Sequence, residues 1–372
     1  MQNIILLFGG KSAEHDISII TACQVKANLN KDRYKVYPIY ITPQNKWFLA
    51  DKQTEPKQFL EFDESVSTRV YLKNGENVLY KQGKLRDKAV CEIDAAVIAC
   101  HGLNGEDGTL QGVLELCGIP YTSSAVASSA LCMDKVFMKQ IFEVNNFPVT
   151  KYVWFTKEDY INSKQKIIHD VKHELDFPVI VKPANLGSSI GISVSKNVSE
   201  LSEAIEIALC YDQKILVEEA VLHLKEFSCA AFGMGKNITL SAIDQPVSWQ
   251  EFFGFNEKYL SENIKAVKHK TNVIEKPLRE EIKTLTRAAY KTMGCGGVVR
   301  IDFLYNEDTE ELFINEINSI PGSFSHFMFK NLTFEALLDN LIENAIIRES
   351  KKKTYKFSYE SPVLLNNFVS KK

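Results

Sequence analysis

The chain is 372 residues long, with 45% apolar residues, 24% charged residues and a formal net charge of -3. That length predicts two or three domains with enough apolar material for several cores. The near-balanced charge excludes a global field for nucleic acid or an anionic membrane, so a phosphate-bearing ligand needs a local basic pocket.

The eight cysteines form no C-x-x-C pair, which argues against a zinc ribbon or dithiol motif. Most lie in apolar stretches and read as small core residues in a reducing compartment. MQNIILLFGG lacks a basic leader and a cleavage site, and reads as a first buried strand. No run approaches the ~18 apolar residues of a membrane span, so the chain is expected to be cytoplasmic.

In chain order, an apolar strand over Asn3 to Phe8 ends in Gly9-Gly10, and a helix is expected from Ser18 to Leu29. A second strand over Tyr34 to Ile41 follows, which is the opening of a parallel α/β layer. Residues 50–92 are charged and irregular and resist ordering. Ala95 to Cys100 is another buried strand, and Gly118 to Tyr121 marks the edge of the first domain. A helix is expected from Ser128 to Asn145, ended by Pro148. A proline-bounded strand at 177–183, a loop to Gly191, a strand at Ile192 to Ser195, a helix near Glu200 to Leu209 and a strand at Ile215 to Glu218 form a small α+β unit. Antiparallel strands at Glu226 to Gly233 and Ile238 to Ile243 come next, then a polar, aromatic loop over Gln245 to Val273. A helix at Leu278 to Met293, paired strands at Val298 to Leu304 and Leu312 to Asn318, and a helix at Thr333 to Ile347 complete the pattern, with a basic peripheral tail after it.

Gly10-Lys11-Ser12 follows a strand, but a nucleotide P-loop would need glycine where Ile5 stands. No dinucleotide glycine fingerprint occurs there either. Glu14 in that turn is either a charge at a helix start or a receptor for an ammonium group. His101 to Gly108 carries three glycines just past a buried strand, where open α/β sheets hold ligands, though such clusters are usually turns. Lys182 ends a strand and is followed by Gly187, Ser188, Ser189 and Gly191, a flap able to wrap polyphosphate oxygens. In Arg300-Ile301-Asp302 and Glu316-Ile317-Asn318 the two-residue spacing puts both polar groups on one face of each strand. Two carboxylates, an amide and a guanidinium then share a surface. That set suits a hard cation such as Mg²⁺, or else a structural salt bridge of Arg300 with a carboxylate.

These clusters, in this order, resemble the D-alanine–D-alanine ligase family of ATP-grasp enzymes. The resemblance runs from Phe8-Gly9-Gly10-Lys11-Ser12-Ala13-Glu14 through His101 to Gly112, Met133-Asp134-Lys135, Lys182 to Gly191 and Glu257-Lys258-Tyr259-Leu260 to Glu316-Ile317-Asn318-Ser319-Ile320-Pro321-Gly322. It implies an α/β fold with α+β elements in three domains: an N-terminal parallel α/β layer (1–126), a central ATP-grasp subdomain (127–217) and a C-terminal catalytic domain (218–350), with a tail at 351–372. ATP would bind between the last two domains. Lys135 and Lys182 would hold its phosphates, with Ser188 and Ser189 in the flap. Glu219, Leu222 and Glu226 would line the adenine and ribose site, and Lys258 would reach the γ-phosphate. Asp302, Glu316 and Asn318 would bind two Mg²⁺ ions, with Mn²⁺ as a substitute. Glu14 would take the first substrate's ammonium, with His101 nearby. Ser188, Tyr259 and Glu14 would form a hydrogen-bonded group. Arg300 and the Gly322 N–H would stabilise an oxyanion. The implied activity joins two D-alanines through an acyl phosphate for peptidoglycan precursors, in a homodimer.

One departure concerns the second substrate. The family commonly has a carboxylate-contacting serine where Phe327 stands, and Ser323 or Ser325 would have to replace it. The alternatives are another second substrate (D-serine, D-lactate or another amine) or a non-catalytic nucleotide binder. The intact Lys182, Arg300, Asp302, Glu316 and Asn318 argue against the latter. Tyr259 matches the dipeptide-forming type.

Overall fold

A computed structural model describes residues 1–246 and 274–356. Lys258 and Tyr259, most of the polar loop and the end of the tail lie outside these residues.

Strand β1 (Gln2–Gly9) lies between parallel neighbours β2 (Tyr34–Ile41) and β7 (Ala95–Ile98). Ile4 to Phe8 are all buried, as a parallel strand covered on both faces must be. Helix α1 (His15–Asn28) packs on β1. Residues 50–92, unreadable in the sequence, extend this layer. With β3 (Trp47–Leu49), the strands β4 (Thr68–Leu72), β5 (Val78–Lys81) and β6 (Lys88–Glu92) add antiparallel members, giving the order β6-β5-β4-β3-β2-β1-β7. They are short and largely solvent-facing, so they carry little apolar signal. Helix α2 (Thr109–Leu116) follows.

The helix expected over 128–145 is two helices, α3 (Val126–Met133) and α4 (Lys135–Val144). Asp134 breaks them apart. Its carboxylate accepts from the N–H groups of Val136 and Phe137, which starts a new helix in place of continuing the old one. Cys132, Met138 and Phe142 bury against the last sheet, not the central one that the domain reading gave them to.

The second sheet has the order β10-β9-β11-β8, from β8 (Tyr152–Thr156), β9 (Val179–Pro183), β10 (Ser193–Ser195) and β11 (Lys214–Glu219). Helices α5 (Lys157–Glu174) and α6 (Val198–Ala208) cover it. The boundary expected at 217/218 falls inside β11. The third sheet is antiparallel, β13-β12-β14-β15, from β12 (Leu224–Met234), β13 (Asn237–Asp244), β14 (Val298–Asn306) and β15 (Leu312–Asn318), with α7 (Lys276–Thr292) packed on it.

Helix α8 (Phe334–Lys352) returns to the first layer. Its Leu337, Leu338, Leu341 and Ile342 join one core with Ile4 to Phe8. Arg33 pairs with Asp339 and Glu343, Arg348 donates to the carbonyls of Tyr121 and Ser123, and Lys352 pairs with Glu115. All eight cysteines are free thiols. No helix of the described residues is long and apolar enough to cross a membrane.

Candidate active site

Five segments far apart in the chain meet at one small cavity of about 30 Å³, lined by Glu14, Glu106, Lys135, Gly187, Glu316 and Asn318 among others. The turn after β1 supplies Glu14. The Ser188 hydroxyl, from the flap after β9, donates to its carboxylate. Two glycines flank that carboxylate. A Cβ at Gly102 would come within 2.6 Å of Glu14 Oε2, and one at Gly187 within 3.0 Å. Gly102 also sits at a φ of 67°, a left-handed conformation that favours glycine. Burial pushes the Glu14 carboxyl above its ordinary range, against the lowering effect of the Ser188 bond, with Glu316 adding repulsion. Among the described residues Glu14, Glu106 and Glu316 share the cavity with Lys135, with Arg300 acting on the first two, and carboxyls in excess of cations favour an added cation.

Glu106 was not among the residues expected from the sequence. It is buried, and its two carboxyl oxygens accept from the N–H groups of Gly102 and Ile320. Burial, and then the neighbouring Glu14, push its carboxyl up. His101, expected beside the first substrate, is instead enclosed. Its Nδ1 lies 2.7 Å from the Ile320 carbonyl and its Nε2 lies 2.9 Å from the Thr21 hydroxyl. Burial holds its pKa down to about 4. The ring is therefore neutral in the folded chain, while an unfolded histidine takes up a proton below ~6.5. The resulting stability is present above that pH and lost as the pH falls toward 4, on the order of 3 kcal/mol. His101→Gln is expected to flatten the fall of the thermal midpoint between neutral pH and about 4, and an unchanged slope would refute the assignment.

The phosphate-side lysines are both engaged. Lys135, at the start of α4, donates to the Leu186 carbonyl at 2.8 Å and lies 3.4 Å from Glu316. Lys182 pairs with Glu218 and donates to Asn315 at 3.2 Å. Glu218 also lies 2.9 Å from the fully buried Lys139 and accepts from Thr150 at 3.0 Å. Burial alone would raise the Glu218 carboxyl, but Lys139 and Lys182 hold it well below the usual carboxylate range. Sequence reading named Glu219 and missed Glu218. The side chain of Glu219 turns the other way, to Lys151 and the Asp176 N–H. The register pairs Lys182 with Leu216, so Glu218 is the diagonal neighbour on the same face of the sheet. Strand parity was the signal that could have found it. Leu222 is half exposed, and Glu226 lies on β12.

On the third sheet the expected juxtaposition forms. Asp302 pairs in register with Glu316, and Arg300 with Asn318. Arg300 grips both oxygens of Asp302 at 2.7 Å, and Ser228 and the Asn318 amide donate to the same carboxylate at 2.6 and 2.8 Å. The salt bridge left open by the sequence is thus present, in the same place as the hard-oxygen set. Glu316, one of whose oxygens faces Lys135 at 3.4 Å, and the Asn318 amide add hard oxygens beside Asp302, a donor chemistry that fits Mg²⁺. No group of three His, Cys, Asp or Glu side chains comes together as a metal site among the described residues.

Past β15, Gly322 faces open space, where a Cβ would meet nothing within 4 Å. Ser323, Phe324 and Ser325 then hold φ values of 51°, 50° and 47°, a left-handed turn built without glycine. Ser325 does not serve as the expected substrate contact. It is fully buried and its hydroxyl has no partner among the described residues. Phe327 is half exposed. Ser189, with a φ of 57°, lies in the flap beside Ser188.

Residues 3–124 match a family model described as the D-ala D-ala ligase N-terminus, and residues 141–343 one described as the D-ala D-ala ligase C-terminus. A D-alanine–D-alanine ligase of Thermosipho africanus is 37% identical over 95% of this chain and 96% of its own. Among solved structures, the D-alanine–D-alanine ligase of Coxiella burnetii superposes with a TM-score of 0.77 at 27% identity, covering 95% of this chain and 96% of that one. The VanG D-Ala:D-Ser ligase of Enterococcus faecalis does so with a TM-score of 0.80 at 29% identity, over 92% and 99%.

Proposed function

The chain belongs to the D-alanine–D-alanine ligase family, and from that membership we propose that it joins two D-alanines with conversion of ATP to ADP and phosphate, for peptidoglycan precursor synthesis. The observation that carries the reading at this site is the bond from Ser188 to the buried Glu14, which ties the glycine-rich flap to the cavity where carboxyls outnumber cations. Glu14 accepts the ammonium of the first D-alanine. The carboxylate oxygen of that first D-alanine attacks the γ-phosphorus, the bond to the bridging oxygen of ADP breaks, and the acyl phosphate of D-alanine forms. Lys135 and Lys182 offset the repulsion between the two anions, with Lys258 as a third cation. The amine of the second D-alanine then attacks the acyl carbon and phosphate leaves. Arg300 and the Gly322 N–H receive the charge that develops on the carbonyl oxygen. Closure of Ser188, Ser189 and Tyr259 over the site excludes water from the acyl phosphate. Glu219, Leu222 and Glu226 border the nucleotide.

Asp302, Glu316 and Asn318 are the residues that would hold two Mg²⁺ ions or Mn²⁺. Such an ion supplies charge neutralisation at the phosphates. The proposed assembly is a cytoplasmic homodimer. The test is phosphate release from ATP with D- and L-amino acids, singly and in pairs, with the product read by mass. D-Alanyl-D-alanine from D-alanine alone is expected, and release with no D-amino acid product would refute the reading.

Phe327 and the likeness to a D-Ala:D-Ser ligase favour one variation, a second substrate other than D-alanine. The burial of Ser325 leaves Ser323 as the remaining serine of that pair. Phe327→Ser is expected to tighten binding of the second D-alanine by about 1 kcal/mol, the net worth of one hydrogen bond. The second-substrate KM at saturating ATP checks it, and an unchanged KM would show that Ser323 or backbone already holds that carboxylate.

A further inference from the structure

Pro321-Gly322 is suspended between two anchored residues, and the side chains that hold Ile320 and the Ser323 N–H come from the first layer, while His326 of the same turn holds the Ser323 carbonyl. On one side, Ile320 is held at both backbone groups. Its N–H donates to Glu106 Oε1 at 2.7 Å, and its carbonyl accepts from His101 Nδ1 at 2.7 Å. On the other side, the Ser323 N–H donates to Thr21 Oγ1 at 3.2 Å. The two anchors are joined, because the Thr21 hydroxyl lies 2.9 Å from His101 Nε2. The second oxygen of Glu106 accepts from the Gly102 N–H at 2.9 Å, which ties it to the loop that carries His101.

Thr21, His101 and Glu106 are 1%, 3% and 8% exposed, so solvent does not compete for these bonds. A carbonyl oxygen only accepts, so the proton of the neutral ring sits on Nδ1 and Nε2 accepts from the Thr21 hydroxyl. That one arrangement satisfies each of these bonds. The segment also needs anchoring, since Ser323, Phe324 and Ser325 occupy left-handed backbone. Such a turn persists where its surroundings over-determine it.

We propose that Thr21, His101 and Glu106 are positioning residues that fix the Gly322 N–H where the oxyanion develops. The first layer thereby sets the geometry of a donor that the chain attaches to the third sheet. This rests on the reading that Gly322 is such a donor. His101 acts through the loop and not on the first substrate.

The anchor should matter for the second chemical step, because no oxyanion forms at carbon during phosphoryl transfer. The test compares first-turnover ADP formation, by rapid quench, with steady-state dipeptide formation. Thr21→Val keeps the shape of the side chain but removes both the acceptor for Ser323 and the donor to His101. Dipeptide formation is expected to fall tenfold to a hundredfold, roughly what a misplaced catalytic group loses, with the rate of first-turnover ADP formation unchanged. Thr21→Ser restores the hydroxyl and should restore ligation. His101→Phe, which keeps a ring but can neither donate to the Ile320 carbonyl nor accept from Thr21, should show the same split, and it serves if Thr21→Val fails to fold. Equal loss of both steps, or loss of neither, overturns the proposal. Failure of the unmodified chain to make dipeptide would instead overturn the ligase reading.

Discussion

Replacing Arg300 with Met is expected to lower kcat by about 10²–10³ while ATP affinity changes little, because a donor to a developing oxyanion acts only at the transition state. The structure adds a second, opposite effect. Arg300 spends its Nε and one terminal nitrogen on both oxygens of Asp302. Its removal takes the guanidinium away from Asp302, to which Ser228 and Asn318 still donate. A partly buried carboxylate so released attracts a cation more strongly. Arg300→Met should therefore bind Mg²⁺ as tightly as before, or more tightly, while turning over slowly. Titration of Mg²⁺ against nucleotide binding, beside kcat at saturating metal, separates the two effects. A variant that keeps its turnover but loses ATP would mean that Arg300 serves the phosphates.

Glu218→Leu is expected to destabilise the fold by about 3–5 kcal/mol, the range for breaking a buried ion pair by removing one partner. Two lysines share this carboxylate, and Lys139 is fully buried. Leucine would leave that ammonium with Thr150 as its remaining hydrogen-bond partner here. The sign with pH follows from the lowered Glu218 carboxyl. Its contribution is present above the unfolded value of ~4.3 and is lost as the pH falls below it, so the gap between variant and parent should close in acid. Urea denaturation at neutral and acid pH measures both. A neutral-pH loss under about 1 kcal/mol would show that Lys139 deprotonates without difficulty or finds other partners.

The parts of the fold legible in the sequence were those with strong periodicity. The strands Tyr34–Ile41 and Leu312–Asn318 have the bounds that their apolar alternation suggests. The break at Asp134 was hidden because Ala130 to Met138 contains no glycine or proline to mark it, and only the cap geometry reveals the role of Asp134. At the site, local motifs exposed Glu14, Lys182, Arg300, Asp302, Glu316 and Asn318, since each sits beside glycines or on a strand with period two. Thr21, Glu106 and Glu218 escaped. Thr21 is one more small residue on a helix with no marked apolar face, Glu106 reads as part of a turn, and both acquire meaning only when Ile320 and Ser323 arrive from 214 and 302 positions away.

Because α8 shares a core with β1, the order of synthesis matters to how the chain folds. The ribosome delivers Ile4 to Phe8 well before Leu337 to Ile342, and at about 5–20 residues per second a considerable interval separates them. During that interval the first layer lacks its final apolar cover and its pairing of Arg33 with Asp339. The nascent chain thus carries an incomplete hydrophobic surface until α8 emerges, a state in which chaperone binding competes with aggregation. A stop codon ahead of Phe334 would leave that surface open for good, and the clipped product would be expected in the insoluble fraction.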